Sequence, residues 1–350
     1  MFPEYHWTML TLPARHFNWT IRGNSLLWAF QERAILQQPY DLILATSMVD
    51  LSSLRGLVPA LAHIPTVLYF HENQFAYPPG DQRLDNVEPQ LVPLYAALCA
   101  DRIVFNSHYN RDSFLAGAAE LLRKLPNSLP PSIVTRLQDS EVIPVPVPAH
   151  TRPRSKLPAQ HDLLEVLWNH RWEYDKGIDL LLALCTQMHA DALPVRLHIA
   201  GEQFRKSPPE FAAINTLLDQ HAAALEYTRG QFGFVENPAE YAALLARCDV
   251  VLSTARHDFQ GLAIQEACMA GCAPLAPQAL AYPEYLASSH LYPLAASNSA
   301  TAAIICQRLQ AWLTAKKNGV ALPVQALDEY TEAQLQPRYA MLFEDLLNKK

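Results

Sequence analysis

The segment from residue 249 to residue 270 constrains the fold of this chain more than any other. Residues 249–255 form a short, largely apolar run, which predicts a buried parallel strand. Residues 262–270 follow with a helical pattern, and Gly261 stands between the two, where its missing side chain allows the backbone to approach a ligand. The segment therefore predicts a strand–loop–helix unit with a ligand site at the junction.

The residues at this junction suit an anionic or hydroxyl-rich ligand. We expect Gln260, Gly261 and Leu262 to bind it, because the first amides of a helix offer N–H groups and the positive end of the helix dipole. Asp258 and Glu266 are eight residues apart. One acid can meet a ligand at the loop while the other reaches a diol deeper in the crevice. An ordinary unit with two solvated acids is the alternative, and spacing alone does not decide between them.

Strand and helix patterns alternate through the chain in two series, which predicts two Rossmann-like α/β domains. With 350 residues, half of them hydrophobic, the chain can form two cores. Crowded prolines between the series indicate a linker, because proline removes donors and stiffens the backbone. The predicted segments are an N-terminal domain at 1–148, a Pro-rich linker at 149–162, a C-terminal domain at 163–336 and a final helix at 337–350.

Composition argues against several classes of protein. The sequence contains no apolar run of 18 residues, so we expect no membrane span, and its N-terminus lacks the pattern of a secretory signal. Its six cysteines have no zinc-ribbon spacing, which favours reduced thiols and a cytoplasmic protein. The net charge of −7 is no general nucleic-acid signature, although it does not exclude a local basic patch.

A second loop of the C-terminal domain carries two cations. Arg171 and Lys176 lie between a predicted strand at 163–168 and a predicted helix. An arginine can bind phosphate oxygens through two donors, and a lysine adds a point charge. A leaving nucleoside diphosphate needs such cations, because charge builds on it as the glycosidic bond breaks. Surface salt bridges to Glu173 and Asp175 are the alternative.

Polar side chains also follow a predicted strand of the N-terminal domain at 65–70, where ligands bind in open α/β sheets. The four are His71, Glu72, Asn73 and Gln74. Burying them without ligands or mutual pairing would be costly, so we expect His71 to act in catalysis and the other three to contact the substrate. A histidine bonded to backbone is the alternative for His71. Asn106 and Ser107, after the next strand, are weaker candidates because a helix cap would explain them equally well.

These motifs resemble those of two families, one within the other. Asp258-x7-Glu266, followed by Ala267-x-x-x-Gly271, is similar to the pattern of retaining nucleotide-sugar glycosyltransferases of the GT-B type, in which two Rossmann-like domains face each other across a cleft. That family usually has Glu where this chain has Asp258, which is one methylene shorter. Further motifs, in the same order over most of the chain, resemble the tRNA-queuosine mannosyltransferase family: Pro13-x-Arg15-His16-x-x-Trp19-x-x-Arg22-Gly23, Phe70-His-Glu-Asn-Gln74, Phe105-Asn-Ser107, His170-Arg-Trp-Glu-Tyr-Asp-Lys-Gly177 and His257-Asp-Phe259.

The resemblance implies a reaction and a role for each acid and cation. It implies that mannose passes from GDP-mannose to queuosine in a tRNA anticodon loop, with retention of configuration. Arg171 and Lys176 would hold the diphosphate, Glu266 the ribose hydroxyls, and Asp258, as a catalytic residue, the sugar. We expect no metal ion, because the sequence has neither Asp-x-Asp nor His-Glu-x-x-His. The resemblance also implies that the final helix packs on the first domain.

The acceptor is expected to meet a predicted loop at 13–23. Arg15, His16, Trp19 and Arg22 supply cations and an aromatic ring, which can hold phosphates and stack a splayed base. Packing inside the cleft between the domains is the alternative role for these four residues. A strand at 7–12 and a helix at 24–37 are predicted to flank the loop.

The chain departs from the family at its start, because it begins after the family's first strand and Gly-rich loop. We expect either a translation start further upstream or a first domain that lacks its first strand. Two other functions stay open. One is a transferase that uses another nucleotide sugar and a small or lipid-linked acceptor, and the other is an inactive nucleotide-sugar-binding protein. The sequence does not predict the oligomeric state.

Overall fold

The computed structural model describes residues 1–13, 17–77, 87–126, 129–148, 162–203 and 208–348, and of residues 17 and 18 only the backbone. The chain forms two compact units, Met1–Pro146 with Glu332–Lys350, and Val147–Thr331. The C-terminal boundary lies five residues before the predicted one, because the last helix begins earlier than expected. Most of the predicted linker, residues 149–161, lies outside the described residues.

The first unit is built on a parallel sheet whose described strands follow the order β1-β2-β3-β4. The strands are β1 (Ile43–Thr46), β2 (Thr66–Phe70), β3 (Arg102–Phe105) and β4 (Glu141–Val142). The helices are α1 (Phe17–Gln31), α2 (Arg33–Leu36), α3 (Leu51–Leu57), α4 (Glu88–Cys99), α5 (His108–Lys124), α6 (Ser132–Gln138) and α12 (Glu332–Leu347). Every residue of β2 is buried, as expected for an interior parallel strand covered on both faces.

Helix α12 covers one face of this sheet. The Tyr339 hydroxyl lies 3.1 Å from the Tyr69 hydroxyl of β2, which donates to the carbonyl of Ile143 at 2.6 Å. The ring of Phe343 packs against Phe2 with centroids 5.3 Å apart. The sequence predicted a helix start at Pro337, but Pro337 lies inside α12. The buried apolar face of the helix offsets the hydrogen bond that proline removes.

Two expectations for the N-terminal region are wrong. Residues 7–12 form no strand. Leu10 packs on an apolar cluster, whereas Trp7 and Met9 are 50% and 80% exposed, so the alternating pattern does not reflect a paired strand. The segment predicted as a loop begins α1 at Phe17, because Ile21 and other residues spaced along one helix face are buried.

The second unit contains a parallel sheet in the order β6-β5-β7-β8-β9. The strands are β5 (Leu164–Asn169), β6 (Val195–Ala200), β7 (Val250–Leu252), β8 (Ala273–Pro277) and β9 (Leu291–Tyr292). The helices are α7 (Ile178–Ala190), α8 (Glu210–Ala224), α9 (Pro238–Arg247), α10 (Leu262–Met269) and α11 (Asn298–Lys317). A strand predicted at 231–235 is only a single bridge between Phe232 and Ile199, because Gly233 takes a φ of 114° and ends the extended path.

The strand order of the second unit creates a crevice at one edge of the sheet. From β5 the chain passes to β6 on one side, and β7 later returns to the other side of β5. Loops leaving the carboxyl ends of such a pair diverge, and ligands bind in the space between them. The two predicted donor loops follow β5 and β7 and therefore border this crevice. No helix in the described part of the chain is long and apolar enough to span a membrane.

We expect Lys316→Met to destabilise the second unit. The Lys316 ammonium lies 2.6 Å from a carboxylate oxygen of Asp249 and donates to the carbonyl of Leu163 at 2.8 Å, so it ties the end of α11 to the starts of β7 and β5. Both charges are about nine-tenths buried. Removing the cation should cost about 3 kcal/mol, because the carboxylate stays buried without the opposite charge of the lysine.

Urea unfolding of the two-domain protein measures this loss. Lys317→Met is the matched control, since Lys317 is 42% exposed and its partner Asp162 is 94% exposed. The control should change the unfolding free energy by less than about 0.5 kcal/mol. Equal stability of the two variants would contradict a structural role for the buried pair.

Candidate functional site

The loop after β5 presents Arg171 at the surface. Its guanidinium is 53% exposed and pairs with Glu173 at 3.1 Å, as the salt-bridge alternative expected. The next side chain, Trp172, is buried and stacks on Phe211 with ring centroids 3.8 Å apart. The loop is therefore anchored through Trp172, and Arg171 retains guanidinium donors for a ligand beyond the one that meets Glu173.

Lys176 joins the two loops of the crevice. Its buried ammonium donates to the carbonyl of His257 at 2.7 Å and pairs with Asp175 at 3.1 Å. Burial alone would raise the pKa of Asp175, but the nearby side chains of His257 and Lys176 outweigh it and lower that pKa. An ammonium has three donors, so Lys176 can brace this network and still meet one phosphate oxygen.

The backbones of the two loops approach each other closely at Gly177. This glycine has a φ of 70°, and a Cβ at its position would lie 1.9 Å from the carbonyl oxygen of Thr254 in the second loop. The Thr254 hydroxyl donates to the carbonyl of Lys176 at 2.8 Å and accepts from the indole of Trp168 at 2.9 Å. Only glycine fits this crossing, because the backbone is left-handed and the space is filled.

Asp258 is held at the entrance to α10. The backbone N–H of Gly261 donates to one carboxylate oxygen at 2.8 Å, and the hydroxyl of Tyr282 donates to the other at 3.1 Å. Gly261 has a φ of 76°, and a Cβ there would lie 2.4 Å from the hydroxyl of Tyr285. The glycine therefore shapes the turn that places Asp258 at the head of the helix. Tyr282 was not among the residues predicted from the sequence.

Gln260 and Leu262 flank this glycine in different environments. Gln260 is buried, and its amide donates to Gln265 at 2.9 Å, whereas Leu262 is 45% exposed at the first position of α10. The side chain of Gln260 thus has a contact within the protein. The proposed ligand contacts of this segment therefore depend on backbone amides more than on side chains.

Glu266 lies one turn into α10 beside the end of β5. The hydroxyl of Tyr241 donates to its carboxylate at 3.3 Å and accepts from the amide of Asn169, the last residue of β5, at 3.0 Å. Burial and the nearby Glu266 raise the pKa of Tyr241, so the phenol stays protonated and acts as a donor. The carboxylate is half-buried and keeps acceptor capacity for a diol.

His170 is a site residue that sequence reasoning missed. It directly follows β5 and is 4% exposed, and its Nε2 has no hydrogen-bond partner among the described residues. Burial, followed by the charge of Lys176, lowers the pKa of His170 to about 4. The charge of Arg171 adds a smaller lowering effect, whereas the charge of Asp258 opposes the shift. A neutral imidazole therefore lies near three of the four charged groups predicted to hold the donor, Arg171, Lys176 and Asp258.

In the first unit, Asn73, Asn106 and Ser107 support the backbone around His71. The buried amide of Asn73 donates to the carbonyl and side-chain oxygens of Asn110, and the Asn106 amide donates to the carbonyl of His71 at 2.9 Å. Ser107 accepts from the backbone of Asn110 and caps α5, which is the alternative considered for it. The side-chain contacts of these three residues are internal to the unit.

His71, Glu72 and Gln74 offer side chains at the carboxyl end of β2. His71 is solvent-exposed, with its ring 4.7 Å from that of Tyr69, while Glu72 and Gln74 are half-exposed. Partial desolvation by the surrounding protein lowers the pKa of His71, so its imidazole is neutral at physiological pH. A neutral imidazole can donate one hydrogen bond and accept another.

The four residues of the predicted acceptor loop lie in different surroundings or outside the described residues. Arg22 pairs with the buried Asp50 at 3.0 Å and with Glu88 at 2.9 Å, so its charge ties α1 to the starts of α3 and α4. Trp19 is 59% exposed and available to a partner. Arg15 and His16 lie outside the described residues.

Within the described ranges, no group of three or more His, Cys, Asp or Glu side chains could hold a metal ion.

Two family models match the chain, each over roughly one unit. Residues 1–147 match the model described as tRNA-queuosine alpha-mannosyltransferase N-terminal, and residues 151–305 match glycosyl transferases group 1. A Drosophila melanogaster protein named tRNA-queuosine alpha-mannosyltransferase is 31% identical over 293 residues. This match covers 81% of the chain and 75% of the relative.

Solved structures resemble the whole chain. The UDP-forming alpha,alpha-trehalose-phosphate synthase of Burkholderia xenovorans matches with a TM-score of 0.62 and 14% identity, over 96% of this chain and 80% of that one. The apo structure of OtsA matches with a TM-score of 0.60 and 15% identity, over 96% and 79%. At such identities the likeness concerns the fold, which is that of GT-B glycosyltransferases built from two parallel α/β domains.

Gly261→Ala should destabilise the protein more than Gly271→Ala. Both glycines have positive φ, at 76° and 97°, so both changes strain the backbone by about 1–3 kcal/mol. A Cβ at 271 meets nothing within 4 Å, whereas one at 261 overlaps the hydroxyl of Tyr285, which adds about 1–3 kcal/mol. Urea unfolding compares the two variants, and equal costs would show that the turn at Gly261 can relax.

Proposed function

The chain belongs to the tRNA-queuosine alpha-mannosyltransferase family, and from that membership we propose that it transfers mannose from GDP-mannose to queuosine in a tRNA anticodon loop. The chain is a glycosyltransferase. The observation that carries the acceptor proposal is the match of residues 1–147 to a model specific to this family. The model matched by the second unit describes glycosyl transferases group 1 in general. A cytoplasmic location belongs to the same proposal.

We propose that the second unit binds the donor in the crevice beside β5 and β7. Arg171 and Lys176 hold the diphosphate, Glu266 accepts from the ribose hydroxyls, and Asp258 accepts from a sugar hydroxyl. The support is geometric, since Lys176 contacts the loop that carries Asp258, and Glu266 is linked through Tyr241 to the end of β5. These groups match a ligand with an anionic centre between two hydroxyl-rich ends.

The proposed reaction retains the configuration of the sugar. The bond from the anomeric carbon to the diphosphate oxygen breaks, and a bond to a queuosine hydroxyl oxygen forms on the same face. The hydroxyl proton passes to the leaving diphosphate oxygen, so no nucleophile of the protein is required. Arg171 and Lys176 stabilise the negative charge that develops on the diphosphate. Since these cations supply that charge, we propose that the reaction needs no metal ion.

The first unit is proposed to bind the acceptor. His71 is neutral and can orient the reacting hydroxyl, and the exposed indole of Trp19 can stack a base. Arg15 and His16 keep their predicted role as phosphate contacts. The pairing of Arg22 with two carboxylates and the overall charge of −7 favour a smaller acceptor as the second candidate. The free queuosine nucleoside is the natural probe for it.

Label from GDP-mannose should enter tRNA from queuosine-replete cells and not tRNA from queuosine-deficient cells. The two pools differ in the proposed acceptor and otherwise offer the same phosphates, so each serves as the control for the other. Binding through phosphates should also weaken steeply between about 50 and 200 mM salt. Label in both pools would contradict the acceptor. Label in neither pool, with transfer to the free nucleoside, would establish the second candidate instead.

Arg171→Ala should lower turnover by roughly 10²-fold, because it removes a charge that stabilises the leaving diphosphate. Arg123→Ala is the matched control, since Arg123 is 69% exposed and pairs with Glu120 much as Arg171 pairs with Glu173. The control should keep wild-type turnover. The rate of GDP release from GDP-mannose in the presence of the tRNA gives the turnover of each variant. Equal rates for the two would remove Arg171 from the donor site.

A further inference from the structure

A chain of hydrogen bonds ends at the carboxylate of Asp258. The backbone N–H of Ala255 donates to the hydroxyl of Ser253 at 3.1 Å, and that hydroxyl lies 2.7 Å from the hydroxyl of Tyr282. The Tyr282 hydroxyl in turn lies 3.1 Å from Oδ2 of Asp258. Tyr282 is fully buried in a 3₁₀ turn after β8, and the motif Tyr282-Pro-Glu-Tyr285 has no part in the proposed function so far.

The groups at the two ends of this hydrogen-bond series, the Asp258 carboxylate and the Ala255 N–H, determine which atom donates in each bond between them. An ionised carboxylate only accepts, so the single proton of Tyr282 points to Asp258. The tyrosine oxygen must then accept the proton of Ser253, whose own oxygen accepts from Ala255. Burial, followed by the charge of Asp258, raises the pKa of Tyr282 well above its usual range, so the phenol stays a donor at any working pH.

Both oxygens of Asp258 are thus held by the second unit itself. Oδ1 accepts from the backbone of Gly261 at 2.8 Å, and Oδ2 accepts from Tyr282. Two donors from different elements prevent rotation of the carboxylate about its terminal bond. Each oxygen has a second lone pair, which remains able to accept from a ligand hydroxyl. The carboxylate is half-exposed, so a ligand can reach it.

We propose that Tyr282 is a positioning residue that fixes the Asp258 carboxylate toward a hydroxyl of the donor sugar, with Ser253 fixing the proton of Tyr282. This inference rests on the proposed placement of the donor sugar at Asp258. It assigns the 3₁₀ turn after β8 to recognition of the sugar, and not of the nucleotide. Tyr282 acts only through Asp258 and makes no contact with the reacting atoms.

Tyr282→Phe compared with Tyr292→Phe tests the proposal. Tyr292 is also fully buried, and its hydroxyl donates to the carbonyl of Ser253 at 2.8 Å without contacting Asp258. Both changes remove one buried hydroxyl, so both should lower the melting temperature to a similar extent. Only Tyr282→Phe should weaken binding of GDP-mannose, by roughly 10-fold for one lost hydrogen bond, and neither should change binding of GDP. Calorimetric titration of each variant with both compounds gives these affinities.

A double mutant shows whether Tyr282 affects GDP-mannose binding through Asp258. Asp258→Asn together with Tyr282→Phe should bind GDP-mannose as weakly as Asp258→Asn alone, because residues that act as a unit are not additive. Additive losses would overturn the proposal, as would equal GDP-mannose affinities of Tyr282→Phe and Tyr292→Phe. A wild type that binds no GDP-mannose would overturn it together with the proposed donor. A wild type that binds GDP-mannose without transfer to tRNA would overturn only the proposed acceptor.

Discussion

The contact between the Lys176 ammonium and the carbonyl of His257 joins the two loops that form the proposed donor site. The loops leave different strands, β5 and β7, and would diverge without a link between them. Lys176 supplies this link as a buried charge, and Asp175 on the neighbouring position keeps that charge paired. The left-handed Gly177 then allows the backbone of one loop to cross the other at Thr254.

The second loop then carries further residues of the proposed site, in order along the sequence. His257 is held by Lys176, the next residue is Asp258, and Gly261 caps the N-terminus of α10 three residues later. In the proposed donor site, Lys176 therefore has two roles. It meets the diphosphate directly, and by bracing the loop it also sets the position of Asp258, the group proposed to meet the sugar.

The sequence predicted those parts of the fold that depend on local pattern. β6 and α9 have the bounds that the sequence pattern predicts for them, 195–200 and 238–247, because each has a regular apolar face. The strand expected at 231–235 and the unpredicted β9 depend on a neighbour that periodicity does not reveal. Residues 7–12 have the pattern of a strand but pair with no strand in the described sheet, and Pro337 lies inside a helix that tertiary packing stabilises.

The residues of the candidate site also fall into two groups, those that a local sequence pattern indicates and those that only the structure reveals. Arg171, Asp258 and Glu266 could be proposed from the sequence, because charged groups in a loop after a buried strand, or in the helix that follows it, indicate a ligand. The sequence could not show that Asn73 holds backbone, that Arg22 is paired, or that Tyr282 donates to Asp258. Each of those roles depends on a contact between side chains far apart in the chain, at separations of 37, 28 and 24 residues.

Helix α12 makes the first unit discontinuous, and this has a consequence for synthesis of the protein on the ribosome. One face of β2 and β3 packs on side chains of α12 that are translated after the whole second unit. The nascent first unit therefore emerges with that apolar face uncovered, and the face stays uncovered while the whole second unit is translated. Completion of the first unit must wait until α12 has been translated, so a chain that stops before α12 exposes a surface that chaperones and proteases recognise.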